Sequence, residues 1–337
     1  MDIRSIAPFL HPPLNVQCYR IVAEAGPRGL LLPPYPGSTF RGVLGHGLRK
    51  IACTAGPQQE CSFCLFQKVC LVTILFQPVA PERQEGFFGR AQELPPPFVL
   101  RPLTGGKTEW RPGETFELAV HLFGKGCDYA PYLLSALSVA MEGGLGKGKR
   151  PAKMVRVFGE NPFTGESVAV FVDNQWRMDG APTLGGKDVD QRVRDVLQNF
   201  DGKVTMEYVT PLRLKSDSRL QHSVDPVLFV RSVLRRLSLL SMFHGQGRWE
   251  FPFQEYIEHS SGLAFCDEHY SWVDWERYSS RQESRLKLGG IIGSASLEGE
   301  VLPSFLPLIL WAELTHVGKS TVFGLGKIWI KNKHVVR

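Results

Sequence analysis

The chain has 337 residues, 43% of them hydrophobic, and a formal net charge of +6, which leaves room for two domains with buried cores and a basic excess that fits a polyanionic partner or ordinary surface charge. The most apolar run, Phe305–Leu314, is too short to span a bilayer, and MDIRSIAPFLHPPL lacks the apolar core of a signal peptide, so a soluble, cytoplasmic protein with no membrane partner is expected. Seven cysteines, an odd number, argue against a disulfide framework and for reduced thiols.

Leu14–Ala23 mixes apolar and polar positions as a first strand does. Pro33, Pro34, Pro36 and Gly37 then forbid helix, and Ser38 or Thr39 can cap the one that follows. Phe40, Val43, Leu44, Leu48 and Ile51 recur at helical spacing and should share a buried face. His46, Arg49 and Gly42 fall on the opposite side with Lys50 on its flank, and Arg49 and Lys50 are three and four residues beyond His46. Gly42, Gly45 and Gly47 each cost about 1 kcal/mol against alanine in a helix. That expense implies a close neighbour, either packed chain or a polyanion backbone. The polar side is a phosphate-handling surface or a plain solvated face.

Four cysteines follow at once. Cys53, Cys61, Cys64 and Cys70 have the spacing C-x7-C-x2-C-x5-C, a tetrathiolate pattern in a reduced compartment. Structural zinc is the expected occupant and an iron–sulfur cluster the alternative; unrelated buried thiols are the third reading.

A proline-broken segment runs to Pro97, after which Phe98–Arg101 and Thr115–Phe123 read as strands. Tyr129–Glu142 reads as a helix running into a glycine-rich loop with Lys147 and Lys149, and Met154–Phe158 and Val168–Val172 are strand candidates. Asn174–Asp201 is polar and is taken as leading into a linker. Lys203–Leu214 opens the second unit as a strand, and Pro226–His244 is an amphipathic helix. Trp272–Tyr278, Leu286–Ile292 and Ala295–Leu302 are strand candidates, Leu306–Leu314 a helix, and Lys327–Lys331 a closing strand. Each half thus repeats the order β-α-β-β-α-β. The expected class is α+β: two tandem ferredoxin-like domains, at 1–201 and 202–337, with the cysteine-rich metal-binding insertion in the first.

Gly318-Lys319-Ser320 is not a P-loop, because position 313 is Glu, a helix precedes it and a strand follows. It remains a turn whose amides and Lys319 can approach phosphate, or a tight helix-to-strand connection. Trp272–Tyr278, with Arg277, Arg281, Arg285 and Lys287, interleaves aromatic and basic residues, as a nucleobase-stacking surface or a strand with one packed face would.

LPPYPGSTFRGVLGHGLRK, the cysteine cluster, TPLRLK, WERYSSRQ and THVGKSTVFGLGKIWI together resemble the Cas-six family of RAMP-superfamily endoribonucleases, in a cysteine-bearing branch. The resemblance implies two ferredoxin-like domains and binding of CRISPR repeat RNA in a precursor transcript. It implies cleavage without a catalytic metal, leaving a 2′,3′-cyclic phosphate and a 5′-hydroxyl. His46, Tyr35 and Lys50 are the catalytic candidates, with His316 as the rival histidine. The expected RNA contacts in the first half are Arg41, Arg49, Lys147 and Lys149. In the second half they are Arg277, Arg281, Gly318, Lys319, Gly324, Gly326 and Lys327. A non-catalytic RNA-binding RAMP subunit, working with other CRISPR effector subunits, is the alternative, and an iron–sulfur redox or sensing protein the third possibility.

Overall fold

The computed structural model describes residues 8–56, 59–78, 94–274, 276–279 and 284–331, the side chains of 276–279 and 284–287 excepted. The chain divides into two compact units. The amino-terminal unit comprises Leu14–Leu184 and Leu239–Gly247; the carboxy-terminal unit comprises Met1–Pro13, Gly185–Ser238 and Arg248–Arg337.

The amino-terminal unit runs β1 (Val16–Ala25), α1 (Gly37–Ala52), α2 (Leu71–Phe76), β2 (Phe98–Pro102), β3 (Thr115–Phe123), α3 (Ala130–Gly143), β4 (Ala152–Glu160), β5 (Ser167–Val172) and β6 (Gln175–Trp176). Its strands lie in the order β2-β3-β1-β4-β5-β6, each neighbouring pair antiparallel. Ile21 of β1 stands level with Leu118 of β3 and Val157 of β4, and all three are buried, so aliphatic side chains in register hold the sheet centre. α1 packs on α3 and α2 on α1. Without β5 and β6 this is the ferredoxin-like strand order.

The carboxy-terminal unit runs α4 (Gly186–Leu197), β7 (Lys203–Leu212), α5 (Pro226–His244, of which the residues from Leu239 onward count with the amino-terminal unit), α6 (Phe253–His259), β8 (Ala264–Val273), β9 (Glu276–Ser279), β10 (Ser284–Lys287), β11 (Gly290–Glu298), α7 (Leu302–Thr315) and β12 (Ile328–Ile330). Its main sheet has the antiparallel order β8-β11-β7-β12, the same arrangement a second time, with β9 and β10 as a separate hairpin. Two ferredoxin-like units therefore make an α+β protein. Phe9 packs edge-on against Trp249, Phe251 and Tyr256, and the Trp249 indole N–H donates to the Leu10 carbonyl at 2.8 Å. That aromatic cluster is why the chain's beginning groups with its second half.

Several expectations are corrected. α1 starts at Gly37, so Ser38 and Thr39 lie inside its first turn and neither caps it; the Phe40 amide donates to the Pro36 carbonyl. Ile51, expected in the core, is 38% exposed. The polar stretch leading to residue 201 holds α4, which buries Val189 and Val196 and packs against α7. The break between units therefore falls at Leu184–Gly185, before α4, rather than at 201. Trp272–Tyr278 is split between β8 and β9, and Leu302 starts a helix instead of ending a strand. The proline-broken stretch before Pro97 lies mostly outside the described residues. Among the described residues no helix is long and apolar enough to cross a membrane.

Candidate functional site

Phe40, Leu44 and Leu48 are fully buried, and this stripe sets which side of α1 faces out. Two of its glycines are explained by packing. A Cβ on Gly47 would stand 2.1 Å from the Ala136 carbonyl oxygen of α3, and one on Gly45 would strike the Phe76 ring of α2 at 2.6 Å. Gly42 differs, since among the described residues a Cβ there would meet nothing within 4 Å. Gly42, His46 and Lys50 are all exposed, and at i, i+4 and i+8 they form one open strip. Tyr35 is half-buried, two residues before the helix begins. The two arginines of α1 turn to the protein: the Arg41 guanidinium lies 4.1 Å from the Phe76 ring centroid, and Arg49 Nη2 is 3.2 Å from Cys61 Sγ. Both remain half-exposed.

Cys53, Cys61, Cys64 and Cys70 are free and partly exposed. By residue type they suit a tetrathiolate centre. Among the described residues, however, no three His, Cys, Asp or Glu side chains gather as a metal-binding group.

Lys147 and Lys149 are exposed on a tight loop after α3, closed by Leu145 and Arg150 donating to each other's carbonyls at 2.7 and 3.0 Å. Gly146 holds the loop close to the chain ahead of α1, because a Cβ there would be 2.1 Å from the Leu31 carbonyl. Arg28 and Lys153 are exposed too, and Arg28 Nη2 donates to the Lys149 carbonyl at 3.2 Å. The amino-terminal unit thus presents a basic loop anchored by its own backbone.

The glycine-rich turn after α7 differs from the expected phosphate cradle. Gly324 and Gly326 are buried at φ of 85° and 71°, and their amides donate to Thr321 and Pro211. Lys327 is 5% exposed and donates from Nζ to the Glu313 carbonyl at 2.7 Å. These three residues close the fold and are not surface contacts. Of the turn, Lys319 is exposed and Gly318 half-buried. His316, the rival catalytic histidine, is fully buried with Nδ1 3.0 Å from the Leu325 carbonyl, so it cannot meet a polymer at the surface. The Arg277 side chain and all of Arg281 lie outside the description.

Two buried arginines had no signal in sequence periodicity. Arg236 donates from Nε to the Thr315 carbonyl at 2.6 Å, meeting the C-terminal end of α7, and its burial pushes the guanidinium down to about 9. Arg213, at the end of β7, donates from Nη1 to the Gly289 carbonyl, and burial lowers its pKa.

Residues 14–182 match a family model described as an N-terminal domain, and residues 206–328 match the model for CRISPR-associated endoribonuclease Cas6. An uncharacterized protein of Archaeoglobus fulgidus is 26% identical over 310 residues, spanning 89% of this chain and 93% of that protein. Among solved structures, a Cas6 product complex aligns with TM-score 0.55 at 17% identity, covering 94% of this chain and 99% of that one. A partial Cas6-RT-Cas1–Cas2 complex aligns with TM-score 0.59 at 12% identity, covering 96% of this chain and 47% of that one.

Proposed function

The chain belongs to the Cas6 family of RAMP-like proteins, and on that premise we propose that it is an endoribonuclease that binds CRISPR repeat RNA in a precursor transcript and cleaves it at α1. The observation that supports the reading is the open strip of α1, where exposed His46 stands between Gly42, over which none of the described residues packs, and exposed Lys50.

In this reaction the ribose 2′-oxygen attacks the adjacent phosphorus, the bond from phosphorus to the 5′-oxygen breaks, and a 2′,3′-cyclic phosphate and a 5′-hydroxyl result. One group takes the 2′ proton and another supplies a proton to the departing 5′-oxygen; an imidazole serves either task near neutral pH. Lys50, one turn beyond His46, offsets the extra negative charge on the phosphorane. Tyr35, ahead of the helix, orients the substrate. The nucleophile belongs to the RNA, so the chemistry needs no catalytic metal. Other CRISPR proteins are proposed partners, in line with the Cas6-RT-Cas1–Cas2 assembly that the fold resembles.

A second reading, RNA binding without cleavage, is supported by the exposed lysines outside α1, Lys147, Lys149 and Lys319, which can hold a strand whether or not it is cut. Single-turnover cleavage of a repeat RNA in EDTA separates the two. The wild type should cut, and His46→Ala should lower the rate about 100-fold or more, the scale of a general acid or base, with affinity little changed. Lys50→Ala should cost less and Tyr35→Phe less still. Wild-type rates in His46→Ala would overturn the placement of cleavage at α1, and no cleavage by wild type would overturn the enzyme reading.

A further inference from the structure

Resting on the RNA-binding reading, we propose that His222 and Trp272 form a stacking platform for an unpaired nucleobase, with Lys215, Arg219 and Lys319 holding the flanking phosphates. Trp272 lies near the end of β8, half-buried and level with Ile291 of β11. His222 follows a tight hairpin in which Lys215-Ser216 pairs with Arg219-Leu220, its turn residues Asp217 and Ser218 at φ of 46° and 67°. The His222 ring is exposed, and its centroid lies 4.1 Å from that of Trp272 with 30° between the planes. Indole and imidazole are thus already two layers of a stack, and its His222 layer is the exposed one. A base adds as a third layer, and because every base has a π-face the site tolerates sequence.

The surrounding backbone holds this platform in place. Buried Arg213 donates from Nη1 to the Gly289 carbonyl, and its own carbonyl accepts the Lys319 amide at 2.9 Å. Gly289 abuts the platform: a Cβ there would stand 2.9 Å from Trp272 Nε1 and 2.1 Å from Asp274 Oδ1. Arg213 therefore ties three pieces into one surface, namely the strand end leading to Lys215, the turn bearing Lys319, and the backbone beside Trp272. Lys215, Arg219 and Lys319 are exposed, as cations that follow a phosphate backbone need to be.

The test uses a repeat RNA blocked by a 2′-deoxy substitution at the scissile nucleotide, carrying 2-aminopurine at each unpaired position in turn. Binding should quench one position. His222→Ala and Trp272→Ala should each relieve that quenching and weaken binding about 10-fold, the scale of one base–aromatic stack. His222→Phe, which keeps the π-face, should restore both. Trp272 lies in a strand, so its variant is read only after circular dichroism shows a native fold; His222 is exposed, and its variants carry the test alone if that fold is lost. If the wild type binds and His222→Ala leaves affinity and quenching unchanged, the platform is overturned while RNA binding stands. Should the wild type fail to bind the RNA at all, the RNA-binding reading falls with it.

Discussion

Gly42, Gly45 and Gly47 lie on one helix and have different reasons to be glycine. Side chains at Gly45 and Gly47 would collide with α2 and α3, whereas at Gly42, beside His46, a side chain would meet none of the described residues. The sequence alone leaves packed chain and a polyanion backbone both open, and only the placement of Ala136 and Phe76 separates them. Gly47→Ala must move the backbone of α3 and should cost about 1–3 kcal/mol, as overpacking does. Gly42→Ala meets nothing and should stabilise the helix by about 1 kcal/mol at most. Denaturant unfolding of both variants checks the contrast: equal effects would mean that α1 does not lie against α3 as described.

At the scale of elements, α1 and α5 were legible because their apolar residues repeat at helical spacing over several turns. α4 was not, since Val189 and Val196 are its buried aliphatic residues and the Arg192 stem fills the space between them. The glycine-rich turn misled in the other direction. Glycine and lysine together suggest a phosphate cradle, yet Gly326 is glycine because a Cβ there would meet the Val317 carbonyl at 1.8 Å, and Lys327 points inward to Glu313. Position in the chain does not tell a buried lysine from an exposed one eight residues away. Lys327→Ala should therefore lower stability by about 1–3 kcal/mol, through a buried carbonyl left without its donor, and change the RNA affinity of the folded fraction little. Lys319→Ala should do the reverse. Thermal unfolding and RNA binding measured side by side on both variants would expose a wrong assignment if the two effects were exchanged.

For the whole molecule, the repeated β-α-β-β-α-β order was readable from alternating element types even though the two halves share little sequence. The division between units was not, because it depends on α4 packing against α7 and on Phe9 and Leu10 joining Trp249, Phe251 and Tyr256 across more than two hundred residues. Charge is also a whole-molecule property, and a net +6 alone does not say where a polyanion would lie. The structure narrows this by burying Lys327 and turning Arg41 and Arg49 to Phe76 and Cys61, while Arg28, Lys147, Lys149, Lys215, Arg219 and Lys319 stay exposed. If RNA follows these exposed cations, each phosphate they neutralise releases counterion, and the logarithm of affinity falls linearly with the logarithm of salt by about 0.7 per contact on a single strand. Replacing Lys147 and Lys149 together by alanine should then lower that slope by about 1.4, twice the single-contact value. Arg41→Ala should leave the slope near its wild-type value. Filter binding of blocked repeat RNA across a salt series measures all three. A slope unmoved in the double variant would show that the RNA does not reach the loop after α3, and a slope reduced in Arg41→Ala would show that Arg41 leaves Phe76 to meet phosphate.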